Sequence, residues 1–97
     1  MSVVAQTILQ QLGRNRFIVM TGAKNFSSTE NSLMFRIGQN HKKINAVRII
    51  LCQDDTYTIE FLRISKYRLT VAETVEDVYC DVLQEVFTRH TGMYTHL

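Results

Sequence analysis

The segment Ala46-Val47-Arg48-Ile49-Ile50-Leu51-Cys52-Gln53-Asp54-Asp55-Thr56-Tyr57-Thr58-Ile59-Glu60-Phe61-Leu62 decides the fold. It holds two runs rich in β-branched and aromatic residues, separated by a short polar stretch. In the first run Val47, Ile49 and Leu51 fall on one face, with Ala46, Arg48, Ile50 and Cys52 on the other. In the second, Tyr57, Ile59 and Phe61 oppose Thr58, Glu60 and Leu62. Alternation with a period of two marks strands with one face buried. Gln53-Asp54-Asp55 supplies the residue types of a tight turn between them. An antiparallel hairpin therefore forms the centre of the chain.

Upstream of the hairpin, Leu33, Phe35 and Ile37 alternate with Met34 and Arg36, and the turn Gly38–Lys43 joins that strand to the next. Arg16–Thr21 is rich in β-formers and reads as a first strand, followed by the polar stretch Lys24–Asn31 as the longest loop. Downstream, a turn near Ser65-Lys66 leads to a fifth strand, with Tyr67, Leu69 and Val71 facing inward against Arg68 and Thr70. Two helices frame the strands. Ser2 is an N-cap for a stripe of Val4, Ile8 and Leu12, with Ala5 and Leu9 beside it, and Gly13 is a left-handed terminator. At the other end Thr74 and Asp77 form a variant capping box. Val75, Val78, Tyr79, Val82, Leu83, Val86 and Phe87 then follow at helical spacing, with Gly92 as the stop. Arg89 and His90 in the last turn have the sign that the helix dipole favours. The expected order is α-β-β-β-β-β-α: a two-layer α+β sandwich, residues 1–97 as one domain, with both helices on one face of an antiparallel sheet of about five strands.

Composition agrees with that architecture. The 97 residues suit one domain, and 45% hydrophobic with 21% charged residues exclude a disordered chain. No apolar run reaches the roughly 18 residues of a membrane span. The start, Met1-Ser2-Val3-Val4-Ala5-Gln6, lacks a basic region, so a signal peptide is not expected. Cys52 and Cys80 are expected as free thiols in a reducing compartment.

The charges are sorted by sequence half. Residues 1–50 hold seven Lys and Arg against Glu30 alone, which is +6; residues 51–97 hold four against eight acids, which is −4. The net charge of +2 is a cancellation. A basic and an acidic region on one small domain favour steered binding to a charged partner. Lys24, Arg36, Lys42, Lys43, Arg48 and Arg68 are candidates for contact with nucleic acid or an acidic partner. Glu76, Asp77, Asp81 and Glu85, on one face of the expected C-terminal helix, are candidates for a basic partner. Single-strand binders add exposed aromatics for base stacking; here Phe35, Tyr57, Phe61 and Tyr67 are expected in the core, leaving Phe26 in a loop and Phe17.

Catalytic patterns are weak. His41 is expected in a polar loop, His90 at a helix end and His96 in the tail, none with a partner at zinc-ligand spacing. Cys80 lies among Asp77, Asp81 and Glu85, and Cys52 beside Asp54 and Asp55; negative neighbours make a thiolate scarce. Thr21-Gly22-Ala23-Lys24-Asn25 has one glycine where a phosphate loop needs G-x-x-x-x-G-K-[ST], so Gly22 is read as a turn residue. No metal site, no cofactor and no enzymatic activity are expected.

Five segments together carry a resemblance: Gln11-Leu12-Gly13, Phe17-Ile18-Val19-Met20-Thr21-Gly22-Ala23-Lys24-Asn25-Phe26, Lys43-Ile44-Asn45, Asp55-Thr56-Tyr57 with Glu60-Phe61, and Val78-Tyr79-Cys80-Asp81 with Leu83. The chain resembles small proteins of bacteriophages, prophages and other mobile elements that carry an MTGAKNF-like segment. No catalytic residues carry over. The resemblance implies a setting in the host cytoplasm and a binding role: occlusion or modulation of a host protein, such as a nucleic-acid-binding defence nuclease. The alternative is a nucleic-acid-binding accessory of phage DNA metabolism, and a homodimer joining unlike charged regions is a third arrangement.

Overall fold

The computed structural model describes residues 1–40 and 42–95. Helices α1 (Val3–Leu12) and α2 (Arg14–Thr21) precede five strands: β1 (Lys24–Ser28), β2 (Ser32–Arg36), β3 (Ala46–Leu51), β4 (Tyr57–Ser65) and β5 (Arg68–Val78). A 3-10 turn, Cys80–Val82, leads into α3 (Leu83–Thr91). The strands form one antiparallel meander in the order β1-β2-β3-β4-β5. The α+β architecture and the central hairpin are as the sequence reads, with Val47 opposite Phe61 and Ile49 opposite Ile59. Asp54 sets the hairpin turn: its Oδ1 accepts from the Thr56 amide (3.2 Å) and hydroxyl (2.7 Å), which hold its carboxyl below the usual carboxylate range.

One face of the sheet is the core face. Leu33, Phe35, Val47, Ile49, Ile59 and Phe61 are buried there against Ala5, Ile8 and Leu12 of α1, Phe17 of α2, and Leu83, Val86 and Phe87 of α3. Phe17 stands edge-on to Phe35, with ring centroids 5.4 Å apart, and to Phe87 at 5.1 Å. Edge-to-face contact sets the positive rim of one ring against the negative face of another, in addition to the area all three bury. Tyr57 ties α1 to the sheet through a 2.6 Å bond from its hydroxyl to Gln11 Oε1. Burial, and then the nearby Cys80, push that hydroxyl's pKa up, so it stays a neutral donor.

Three elements differ from the sequence reading. Arg16–Thr21 is not the first strand but most of α2. Its inward residues are Phe17 and Thr21, four apart, and the Thr21 hydroxyl donates to the Phe17 carbonyl at 2.8 Å. A short apolar run does not distinguish strand from helix by pattern alone. The telling signal is the pair Gly13 and Gly22, both left-handed (φ 118° and 69°), which close α1 and α2 in turn. The first strand falls instead in the stretch read as a loop: Lys24–Ser28 pairs with β2 through a bulge at left-handed Asn25 (φ 56°), and Phe26 packs on Phe35 at 5.6 Å.

The third difference lies at the C-terminal end. Thr74 is not an N-cap but a strand residue opposite Glu60, and β5 continues to Val78. Val75 pairs with Ile59 and Val78 with Tyr57, so two residues three apart both face the core. An extra residue, Asp77 with φ 58°, makes this possible by bulging out of the ladder. A bulge in a period-of-two strand thus copies the spacing of a helix. The helix proper begins at Leu83, ends at Gly92 as expected, and is tied to β5 by His90, which stacks on Phe61 at 5.1 Å and pairs with Glu73 at 2.8 Å. His41 and His96 lie outside the described residues.

Two outcomes follow for stability. Phe17→Ala removes the ring shared by α2, α3 and the sheet and should cost about 3–5 kcal/mol in urea denaturation. At the bulge, Asp77→Gly should be tolerated, whereas Asp77→Val should lose about 1–2 kcal/mol more, because a β-branched residue resists left-handed backbone.

Candidate functional site

In an antiparallel meander the start of each odd strand and the end of each even strand lie at the same end of the sheet. The register makes this concrete: Lys24 is opposite Arg36, Arg36 opposite Ala46, Ala46 opposite Leu62, and Leu62 opposite Val71. At or beyond this row stand Lys24, Arg36, Lys42, Lys43, Arg63, Lys66 and Arg68, with no acidic residue among them. At the opposite end are Glu30 in the β1–β2 turn, Asp54 and Asp55 in the β3–β4 turn, Glu76 and Asp77 at the close of β5, and Asp81 just after it. Of the remaining charges, Arg48 pairs with Glu60 midway along the sheet and Glu85 with Arg89 on α3, while Glu73 lies 2.8 Å from His90 Nδ1. Arg14 and Arg16 stand at the start of α2. The domain is electrically polar along its strands.

Within the basic end, Lys24, Arg36 and Lys43 line a cleft of about 660 Å3 together with Gly22, Asn40 and Asn45. The segments 38–40 and 42–45 that form its wall are fixed from both sides. Asn40 Nδ2 donates to the Ile44 carbonyl (2.6 Å) and the Gly38 carbonyl (3.1 Å), while its Oδ1 accepts from the Ile44 amide (3.2 Å). Asn45 brackets β4 by donating to the Ile64 carbonyl and accepting from the Ile64 amide, both at 2.7 Å. Arg63 Nη2 donates to the Lys42 carbonyl at 3.1 Å, which holds the loop against β4. Both asparagine side chains are thus engaged in holding the loop, and the cations face the cleft without ion pairs among the described residues. Lys43 itself has φ 60°, a backbone state unfavourable for a residue with a side chain.

Lys24 and Arg36 oppose each other directly across β1 and β2. Like charges at such positions repel and weaken a sheet. With Lys43 adjoining and no acid in the cleft lining, the arrangement is more favourable with an anion between the cations than without one. Two or three Lys and Arg donors around an open cleft suit phosphate or carboxylate oxygens, with Arg able to bind two oxygens at once.

The sequence candidates divide accordingly. Lys24, Arg36 and Lys43 meet at the cleft and Lys42 lies on the same loop. Arg48 does not join them, because its Nε donates to Glu60, its neighbour opposite on β4. Arg68 stands at the tip of the β4–β5 hairpin, three register positions beyond the row. The four acids are not one helix face: Glu76 and Asp77 belong to β5, Asp81 to the 3-10 turn, and Glu85 to α3, where Arg89 pairs with it at 3.0 Å. Cys80 opens the 3-10 turn instead of flanking a helix; it and Cys52 are free thiols. Arg63, Lys66 and Tyr67 were missed. Tyr67 is not a core residue but 89% exposed, since the hairpin carries it past the helices. Conversely Phe17 is fully buried and Phe26 half-buried, so neither is open for stacking. The alternating strand order carried the signal for Arg63 and Lys66, because it places the β4–β5 turn beside the β2–β3 turn.

No protein family, curated protein or solved structure matches the chain. No helix of the described residues is long and apolar enough to cross a membrane.

The opposed cations give a test on the free protein. Lys24→Glu replaces a repulsive pair by an attractive one and should raise stability by about 0.2–1 kcal/mol, seen as a higher Tm at low salt. The gain should fade at 1 M salt, where charges further apart than about 3 Å are screened.

Proposed function

We propose that this protein is a binding protein without chemistry of its own, and that its basic end holds the phosphate backbone of a nucleic acid. The observation that carries the reading is the gathering of Lys24, Arg36, Lys42, Lys43, Arg63, Lys66 and Arg68 at one end of the sheet, with six of the nine acids at the other. Lys and Arg that neutralise phosphates release condensed counterions, which drives binding and makes it salt-dependent. The acidic end is repelled by the same backbone, so approach is oriented. The row from β1 to β5 crosses four strand spacings, about 19 Å, which favours an extended ligand over a single small anion. In the setting that the resemblance to phage and mobile-element proteins implies, this is an accessory of DNA metabolism.

A second reading has its own support. Glu30, Asp54, Asp55, Glu76, Asp77 and Asp81 form an acidic end fit for a basic protein surface, as an inhibitor of a host nuclease would need. Reversing charge at Glu76 and Asp81 should then slow association with that partner, because such charges act mainly on the rate of encounter.

The deciding measurement is fluorescence anisotropy of the full chain with labelled oligonucleotides across a salt series. Affinity should fall linearly in log–log form with salt, and the double variant Lys42→Glu, Lys43→Glu should weaken binding and reduce the slope by about one to two units. Absence of binding at low salt would overturn the nucleic-acid reading and leave the protein-partner one.

A further inference from the structure

Resting on that nucleic-acid reading, we infer that the ligand is single-stranded and that Tyr67, at the tip of the β4–β5 hairpin, is a base-stacking platform. Strands β4 and β5 run three register positions past the row that Lys24 and Arg36 mark, and pair there as Arg63 with Thr70, Ile64 with Leu69, and Ser65 with Arg68. The hairpin is therefore an arm extending from the basic end. Tyr67 sits at its turn between Lys66 and Arg68, and at 89% exposure is the most open large hydrophobic side chain among the described residues. The Lys66 ammonium lies 5.4 Å from its ring centroid, and most of the ring is open to solvent.

An isolated exposed aromatic needs no explanation. This one shares its end of the molecule with a cleft whose cations have no ion pair among the described residues and whose wall is held by Asn40 and Asn45. The two features are the two halves of a single-strand site: cations that track the backbone, and a ring on which an unpaired base can lie. A duplex keeps its base faces stacked on one another and offers none to a side chain, so the ring adds affinity for single strands alone. Lys66 beside the ring contributes in the same direction, since it can reach a phosphate flanking the stacked base.

The test compares Tyr67 variants on a labelled oligothymidine and on a duplex of equal length, at fixed salt. Tyr67→Ala should weaken single-strand binding roughly 5- to 100-fold while leaving duplex binding unchanged, and Tyr67→Phe should retain the native affinity. The chain has no tryptophan, so Tyr67→Trp introduces a single tryptophan whose selectively excited emission should be quenched when oligothymidine is added. An equal loss on both ligands would make Tyr67 a backbone contact and overturn the inference. So would native single-strand affinity in Tyr67→Ala; if Lys43→Glu still weakened binding, the backbone reading would survive alone. Failure of the native chain to bind any oligonucleotide sinks both. Circular dichroism of each variant separates these results from misfolding, which an exposed turn residue should not cause.

Discussion

The contact on which the rest depends is the Phe17 ring, set edge-on between Phe35 of the sheet and Phe87 of the last helix. It joins α2, β2 and α3 at one point and so fixes both helical ends of the chain on the same face of the meander. Both α2 and α3 are short, eight and nine residues, too short to persist in water without tertiary support. Their stability comes from this packing. Once α2 is seated, Gly22 turns the chain directly into Lys24, the first cation of the basic end.

With the helices on one face, the ends of the strands are left to function. The meander assigns them strictly: every second turn falls at the same end. Segment 42–45 and the β4–β5 hairpin therefore stand side by side, joined by Asn45 and by the Arg63 bond to the Lys42 carbonyl. The sorting of charge by sequence half is a partial view of this geometry. Arg63, Lys66 and Arg68 come from the acidic half but belong to the basic end, and Glu30 comes from the basic half but belongs to the acidic end. Regrouped by position, the segregation sharpens. It is achieved against local stability, with Lys24 facing Arg36 and Lys43 in a left-handed backbone state.

Much of the fold was legible in residue order. The period-of-two runs over Ala46–Leu62 and Leu33–Ile37 marked the central strands and their buried faces, and Ser2 and Gly13 bounded the first helix. The α2 misreading comes from a run too short to separate strand from helix, and the two strand misreadings share another cause. A bulge inserts one residue into a strand, and the pattern then slips. At Asp77 it spaces Val75 and Val78 as a helix would; at Asn25 it hides a strand within a polar stretch. Of the site, Lys24, Arg36 and Lys43 were recognisable as cations on neighbouring elements. Arg48 was not distinguishable from them, because its neutralising partner Glu60 is twelve residues away and adjacent only through the β3–β4 register.

By itself the sequence determined the α+β class, the central antiparallel hairpin, the helix boundaries at Ser2, Gly13 and Gly92, and the unequal division of charge, since each depends on neighbours within a few residues. Only the tertiary structure decided which charges remain unpaired, that Tyr67 stands in solvent while Phe17 is buried, and that cations from four separate segments converge. Those are consequences of distance in space, and distance in space is fixed by strand pairing and by the bulges that shift it.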